Sequence, residues 1–111
     1  MTKGKRVYVA GPISKEPCEG VRRACLTADR LIAEGHYPYV PHLDRLWAFI
    51  SGEKPYEQWL RLDFEWIRVC QAIVRCPGES AGADREIAFA KSIGIPVYYS
   101  VDEFVAAETG R

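Results

Sequence analysis

Residues 76–86 read CPGESAGADRE, and they follow the short apolar run AIV at 72–74. The next run, IAFA at 87–90, has helical spacing. This order of apolar strand, glycine- and serine-containing loop and helix start predicts one β-loop-α unit. Unpaired backbone N–H groups point outward at the start of a helix, so the loop is a candidate seat for an anion.

The rest of the chain repeats the alternation of strands and helices. We predict strands at 7–10, 37–41, 72–74 and 96–99. Helices are predicted at about 20–34, 55–69, 83–93 and 102–107, with a short helix or ordered loop at 43–51. Pro55 is expected at the first helical position, and Ser100 is expected to cap the last helix. Short apolar strands between helices predict a flavodoxin- or Rossmann-like α/β sandwich of three layers, with four to five parallel strands.

Length and charge bound the possible functions. A chain of 111 residues predicts one domain, 1–111, and its 15 basic side chains are balanced by 15 acidic ones. That balance argues against a nucleic acid polymer as partner. The apolar run after the basic N-terminus is too short for a signal peptide, and no run reaches membrane-spanning length. We therefore expect a cytoplasmic protein that does not contact a membrane.

Familiar cofactor and metal motifs do not occur in the sequence. It contains neither G-x-G-x-x-G after the first strand nor a P-loop. The four cysteines lack paired C-x-x-C spacing, and His36 and His42 do not stand at ligand spacing with an acid pair. We expect no cofactor, no metal and no disulfide.

Ligands of parallel α/β sheets bind at the carboxyl ends of the strands. Four loops are predicted to converge there, at 11–15, 41–44, 75–82 and Ser100. Glu86 stands just inside the helix that follows the third of these loops. It shares the sheet-facing side with Ala83 and Ala90, whereas Asp84 alone satisfies the preference of a helix start for acids. The position of Glu86 therefore favours a function.

The predicted helix at 55–69 carries a second candidate, Asp63. It is the one acid on a stripe that contains Tyr56, Leu60, Ile67 and Cys70. A carboxylate in an apolar stripe is costly unless it is paired or lies at the edge of a pocket. A structural acid bonded to a neighbouring loop and a catalytic acid both remain open from this helix alone.

A second apolar stripe on the same helix consists of Trp59, Leu62, Trp66 and Val69. A helix that is apolar on two sides predicts one side on the sheet and the other in a homodimer or higher homo-oligomer. The alternative is that residues 43–51 fold back over this stripe.

Three segments together resemble a known family: YVAGPI at 8–13, DFEWI at 63–67, and SAG at 80–82 followed by Glu86. They are similar to the nucleoside 2-deoxyribosyltransferase-like family, which includes 2'-deoxynucleoside 5'-monophosphate N-hydrolases. The resemblance extends from about residue 8 to 97. It implies that Glu86 is the nucleophile, that Asp63 transfers a proton to the base, and that Tyr8 positions the nucleophile.

The activity implied is cleavage of the N-glycosidic bond of a nucleoside 5'-monophosphate or deoxynucleoside, by hydrolysis or transfer. Two carboxylates with different tasks suit an oxocarbenium-like transition state. A retaining mechanism through a covalent glycosyl-enzyme divides one difficult displacement into two easier ones. The competing hypothesis is a nucleotide-sensing module that binds without chemistry. A CheY-like receiver is disfavoured because the first strand does not end in an acid cluster.

The resemblance also indicates residues that bind the substrate. Transferases of the family tend to carry an acid six residues before the nucleophile, where this chain and the monophosphate hydrolases have serine, here Ser80. Ser80 as a simple helix cap, and His42 as a satisfied loop histidine, remain alternatives. Two departures are Gln71, where members often have aspartate, and Pro12, where hydrolases place a serine. The expected substrate-binding residues are Gly11, Pro12, Ile13, Ser14, His42, Arg75, Ser80 and Gly82.

Overall fold

The computed structural model describes residues 4–13 and 17–109, which form an α/β sandwich around an all-parallel sheet. Its four strands are β1 (Arg6–Ala10), β2 (Tyr37–Tyr39), β3 (Ala72–Arg75) and β4 (Val97–Tyr98), in the order β2-β1-β3-β4. The helices are α1 (Pro17–Ala33), α2 (Asp44–Ser51), α3 (Tyr56–Val69), α4 (Ala81–Ser92) and α5 (Val101–Glu108). The predicted flavodoxin- or Rossmann-like class is confirmed.

The inner strand β1 supplies both halves of the core. Val7 and Val9 face α1 and α5, where Phe104 is fully buried. Tyr8 and Ala10 face α3 and α4 on the opposite side of the sheet. Because β1 pairs with β2 on one side and β3 on the other, its residues from 7 to 10 are completely inaccessible to solvent. In the described part of the chain, no helix is both long and apolar enough to span a membrane.

Three predicted boundaries differ from the structure because of local backbone chemistry. The second strand ends at Tyr39, not at 41, because Pro41 begins a 3₁₀ turn, Pro41–Leu43. Pro55 is the residue before the helix, with φ −55° and ψ 142°, so the prediction of a first helical position is wrong. α4 begins at Ala81, two residues early, because the Ser80 side chain caps it.

The segment 43–51 covers part of the second stripe of α3. The rings of Trp47 and Trp59 meet edge to face at 5.4 Å, and the Lys54 ammonium lies about 5 Å from both ring centroids. Trp66 and Val69 remain 46% and 49% exposed. Residues 43–51 therefore cover only part of the stripe. In the other half, Trp66 stacks on Tyr39 at 5.3 Å but stays about half exposed, as does Val69.

Gln71 forms hydrogen bonds to the backbone of β1. Its side-chain oxygen accepts a hydrogen bond from the Arg6 backbone N–H at 3.1 Å, and its own N–H donates to the Arg6 carbonyl at 2.8 Å. These bonds lie at the amino end of β3. This departure from the family pattern thus sits at the opposite end of the sheet from the converging loops.

Candidate active site

Glu86 and Tyr8 form a buried pair at the centre of the site. The Tyr8 hydroxyl donates a 2.8 Å hydrogen bond to Oε2 of Glu86. Tyr8 is fully buried in β1, and Glu86, in the second turn of α4, is 7% exposed. Burial, followed by the Glu86 charge, raises the pKa of Tyr8 well above its ordinary value. The phenol therefore stays protonated and acts as a fixed donor to the carboxylate.

Asp63 reaches the same pair from α3. Its carboxyl lies near both Glu86 and Tyr8, because its charge contributes to raising the pKa of each. Its Oδ1 is buried and has no hydrogen-bond partner among the described residues. A buried polar atom without a partner is costly and is common where a ligand supplies the missing bond. The structure thus brings Tyr8, Asp63 and Glu86 together.

Burial makes ionisation of both carboxyls, Asp63 and Glu86, less favourable. Desolvation is the main cause that raises the pKa of Asp63 to about 6. Desolvation, then the adjoining Asp63 carboxyl, raises the pKa of Glu86 well above its usual range. Two adjacent carboxylates do not both ionise readily, so the pair retains one proton to higher pH than ordinary acids.

A third carboxyl near the pair, Asp44, was missed by the sequence reasoning. Its charge contributes to raising the pKa values of both Asp63 and Glu86, and its own pKa is raised by burial. It also contributes to raising the pKa of Tyr39, whose ring lies 5.8 Å from that of Tyr8, although burial is the main cause there. The available signal was position: Asp44 follows directly after the turn at the carboxyl end of β2, beside β1.

The candidate anion loop ends in a capped helix. The Ser80 hydroxyl oxygen accepts a 3.1 Å hydrogen bond from the Ala83 N–H, so Ser80 is a helix cap, as the alternative held. Its own hydroxyl proton can still be donated. Gly82 leaves room for Tyr56, because a Cβ at this position would lie 3.2 Å from the Tyr56 hydroxyl oxygen. Ser80 and Gly82 therefore share one open helix start.

The Arg75 side chain forms hydrogen bonds within its own loop. Its guanidinium donates to the carbonyls of Cys76 and Gly78 at 2.7 and 2.9 Å, and to Asp84 at 2.9 Å. With its side chain 11% exposed, Arg75 braces the loop from within. These bonds hold the shape of the loop, and the direct phosphate contact of Arg75 stays a prediction.

The loop after β1 packs tightly between its neighbours. A Cβ at Gly78, whose φ is +118°, would lie 2.7 Å from the Pro12 ring, and one at Gly20 would lie 3.2 Å from the Ile13 Cα. Pro12 and Ile13 therefore fix the loop against the anion loop and α1. Ser14 lies outside the described residues. The Ser100 hydroxyl caps α5 by accepting from the Glu103 N–H at 3.0 Å.

His42 is buried next to Gly11 at the carboxyl end of β1. Its Nε2 would lie 3.5 Å from a Cβ at Gly11, where only 2.9 Å separates that position from the Cβ of Cys76. His42 is 4% exposed, and neither ring nitrogen has a hydrogen-bond partner among the described residues. Burial lowers its pKa, so the ring is neutral at physiological pH. The ring lies against the Gly11 backbone, which partly offsets the effect of burial on its pKa, and a place for His42 in the substrate site stays a prediction.

A groove of about 470 Å³ opens at the sheet edge between α1, β2 and α2. Ala28, Ile32 and Val40 line it with apolar surface, Tyr39 and Trp47 add aromatic surface, and Asp29 and Asp44 supply carboxylates. Tyr39, part of the groove wall, has its ring 5.8 Å from the ring of Tyr8. No cluster of three or more metal-ligating side chains occurs within residues 4–13 and 17–109.

The α/β fold that the sequence resemblance predicted is confirmed. The chain belongs to the family described as "Domain of unknown function (DUF4406)", which matches residues 5–99. A solved structure with the same fold is the 2-desoxiribosyltransferase from Leishmania mexicana, at a TM-score of 0.64 and 20% identity. The match covers 84% of this chain but only 61% of that protein. No curated protein sequence matches the chain.

Asp63→Asn should stabilise the protein at neutral pH. The folded pKa of about 6 exceeds the ordinary 3.8, so the unfolded chain releases this proton first. The native protein therefore loses stability as pH rises from about 4 to about 6, and asparagine removes that loss. Allowing for solvent screening, we expect a gain of about 1–2 kcal/mol in the free energy of unfolding at pH 7.

Urea unfolding between pH 4 and 8 measures this effect. Asp102→Asn, at an exposed carboxylate of α5, is the matched control and should keep the native pH dependence. A pH dependence in Asp63→Asn equal to that of the native chain would contradict the assigned burial cost.

Proposed function

We propose that this chain, acting as one domain, cleaves the N-glycosidic bond of a nucleoside 5'-monophosphate or deoxynucleoside. The observation that carries the proposal is the buried Tyr8–Glu86 hydrogen bond with the Asp63 carboxyl beside it. A structural role alone gives no reason to bury two carboxyls in contact at the ligand-binding end of a parallel sheet. A glycosidase uses both.

In the first step, a Glu86 oxygen attacks the anomeric carbon while the bond from that carbon to the base nitrogen breaks. The bonding electrons leave with the base, which takes the proton from Asp63. The pair supplies this arrangement when its shared proton lies on Asp63. Burial and the Asp63 carboxyl raise the pKa of Glu86 and oppose this state, and the Tyr8 hydrogen bond, which lowers that pKa, offsets part of their effect.

In the second step, water attacks the anomeric carbon of the glycosyl-enzyme and releases Glu86. The water's proton passes to Asp63, which restores the starting state. An incoming base in place of water would give transfer. Overall stereochemistry is retained because the anomeric carbon undergoes two inversions.

The phosphate end of the substrate is assigned to the start of α4. The Ser80 hydroxyl proton and the backbone N–H groups near Gly82 are suited to a dianion, whereas an acid at Ser80 would repel it. Gly11, Pro12, Ile13 and the braced Arg75 shape the adjoining loops. His42, neutral and unpaired, is placed beside the sugar or base.

Release of free base tests the proposal directly. The native chain should release base from at least one member of a panel of nucleosides and nucleoside 5'-monophosphates, followed by chromatography. Tight binding of a nucleotide without base release would instead favour the non-catalytic sensing module.

Glu86→Gln should abolish turnover with little effect on binding. Glutamine keeps an oxygen that can accept the Tyr8 bond but cannot form the glycosyl ester, so we expect kcat to fall by about a thousandfold or more. Nucleotide affinity, measured by calorimetry, should change only a few-fold. Glu65→Gln, on the exposed side of α3, is the control and should remain fully active. Base release by Glu86→Gln at near-native rates would eliminate Glu86 as the nucleophile.

Ser80→Ala should selectively raise KM for monophosphates. The variant loses the α4 cap, at about 0.5–2 kcal/mol, together with the phosphate donor. Ser100→Ala loses an equivalent cap on α5 and controls for stability. We expect a roughly tenfold KM increase for monophosphates in Ser80→Ala and none in Ser100→Ala, with KM for free nucleosides unchanged in both. Equal KM changes in the two variants would show that only the cap matters.

We propose that the exposed half of the second α3 stripe, Trp66 and Val69, lies in a homodimer interface. These side chains are about half exposed, although the Trp66 ring stacks on Tyr39 at 5.3 Å. Val69→Lys should dissociate the dimer because it would bury an unpaired charge. Light scattering at micromolar concentration measures the mass, with Ala88→Lys, on the exposed side of α4, as control. A native chain that is monomeric at that concentration would rule the interface out.

A further inference from the structure

The helix α2 presents an exposed apolar face. Phe49 is 87% exposed and Ile50 is 73% exposed. Other sides of the helix are fixed to the rest of the molecule, since Ala48 is buried and the Trp47 ring meets the Trp59 ring edge to face. The outward direction of Phe49 is therefore built into the fold, and an exposed apolar face of this kind marks an interaction surface.

The apolar surface around Phe49 is large enough for a stable interface. Six large side chains of α1, α2 and the turn before α2 contribute to it, each about half exposed or more: Ile32, Leu43, Leu46, Trp47, Phe49 and Ile50. At about 200 Å² for a large side chain, these exposures leave on the order of 700 Å² in contact with water. That area exceeds the largest apolar patch of most monomers, and it approaches the roughly 800 Å² that each partner buries in a standard interface.

The groove between α1, β2 and α2 is a depression directly beside this face. Its volume is about 470 Å³, and Ile32, Leu43 and Trp47 belong to both the groove wall and the apolar surface. Because α2 carries Phe49 and also forms one wall of the groove, a two-fold axis beside α2 brings Phe49 of each copy to the groove of the other. Such a reciprocal contact closes after two copies.

The charges around the groove favour the same arrangement. Asp29 and Asp44 place two carboxylates in the groove wall. Arg45 precedes Phe49 by one turn of α2, so its guanidinium would accompany the Phe49 ring to the groove of a second copy. Arg45 is paired with Glu53 at 3.3 Å, and an exposed ion pair of this kind contributes little and is readily exchanged. A second copy therefore brings a cation to two anions.

The groove is also continuous with the surface formed by Trp66 and Val69. The Trp66 ring stacks on Tyr39 at 5.3 Å, and Tyr39 belongs to the groove wall. Tyr39 lies in β2, an outer strand of the sheet. One interface along this edge of the sheet therefore joins α2, the groove and Trp66.

We propose that the groove receives the Phe49 side chain of a second copy of this chain, and that each copy gives one such side chain and receives one. The proposal rests on the homodimer proposed for Trp66 and Val69, and it adds where the second copy docks. It does not depend on the chemistry at Glu86, so a chain that releases no base would contradict only the proposed catalysis. The groove is thereby assigned to protein contact.

Variants of the two halves of the contact test the proposal. Phe49→Ala removes the inserted ring, and Ile32→Arg, at an exposed position of the groove wall, obstructs the groove. Each should raise the dissociation constant of the dimer about a hundredfold or more, because each dimer loses two buried contacts. Tyr99→Ala, at an exposed aromatic residue directly after β4 on the opposite edge of the sheet, is the control and should retain the native dimer. Light scattering over a concentration series measures the mass.

A mixture of the two variants distinguishes this contact from a general apolar patch. The mixed dimer keeps one intact contact, in which Phe49 of the Ile32→Arg copy enters the groove of the Phe49→Ala copy. We expect the mixture to form dimers at concentrations about tenfold lower than either variant alone. A mixture that associates no better than its components would overturn the proposal, as would a native chain that is monomeric at micromolar concentration.

Two further outcomes would assign the surface differently and overturn the proposal. Dissociation by Val69→Lys but not by Phe49→Ala would restrict the homodimer to Trp66 and Val69. A monomeric native chain that cosediments with anionic lipid vesicles would make α2 a membrane-binding helix. If Ile32→Arg does not fold by circular dichroism, Leu43→Arg, also exposed in the groove wall, replaces it in both experiments with the same expected results.

Discussion

The pairing of β1 with a strand on each side is the constraint on which the rest of the molecule depends. It buries residues 7–10 completely, so their side chains must build both halves of the core. Three of the four are small or medium aliphatic residues, but the largest is Tyr8. Its ring packs in the core, and its hydroxyl donates a hydrogen bond to Glu86. Core and candidate site therefore meet in one side chain.

This overlap explains why the candidate site lowers the stability of the fold. Holding Glu86 beside Asp63 on the packed face of the sheet places two acids where apolar residues would be more stable. The cost is concentrated on one α4 position and one α3 position, and the remainder of that face is ordinary apolar packing. Stability lost at functional positions and recovered in the surrounding core is a common pattern in enzymes.

Much of the fold and the central site could be predicted from sequence because both depend on periodicity. Short apolar runs and helical spacing locate the strands, and the parallel arrangement then brings the strand ends together. Glu86 and Asp63 could be placed on inward faces by counting residues along their helices. Tyr8 required family resemblance in addition, because a buried tyrosine in a strand is unremarkable by itself.

The remaining site residues depend on contacts that periodicity does not encode. Arg75 was predicted as a phosphate ligand. Its guanidinium donates hydrogen bonds to three protein acceptors, the carbonyls of Cys76 and Gly78 and the carboxylate of Asp84. His42 was expected in the substrate site, with a satisfied loop histidine as the alternative, and the 3₁₀ turn carries its ring to Gly11. Asp44 belongs to the predicted loop 41–44 but was not singled out, because the sequence does not show which loop side chain approaches Asp63. Each case depends on loop geometry, which follows from tertiary packing.

The two outer strands of the sheet affect how the molecule avoids unwanted association. β2 has three residues, the middle one Pro38, and β4 has two, directly after Pro96. Proline offers no N–H, and such short edge strands present few free backbone groups with which a strand of another molecule could pair. In the described part of the chain, the sheet is therefore poorly suited to growth by strand addition. Copies of this chain would therefore associate through helical surfaces and not by extending the sheet from one molecule to the next.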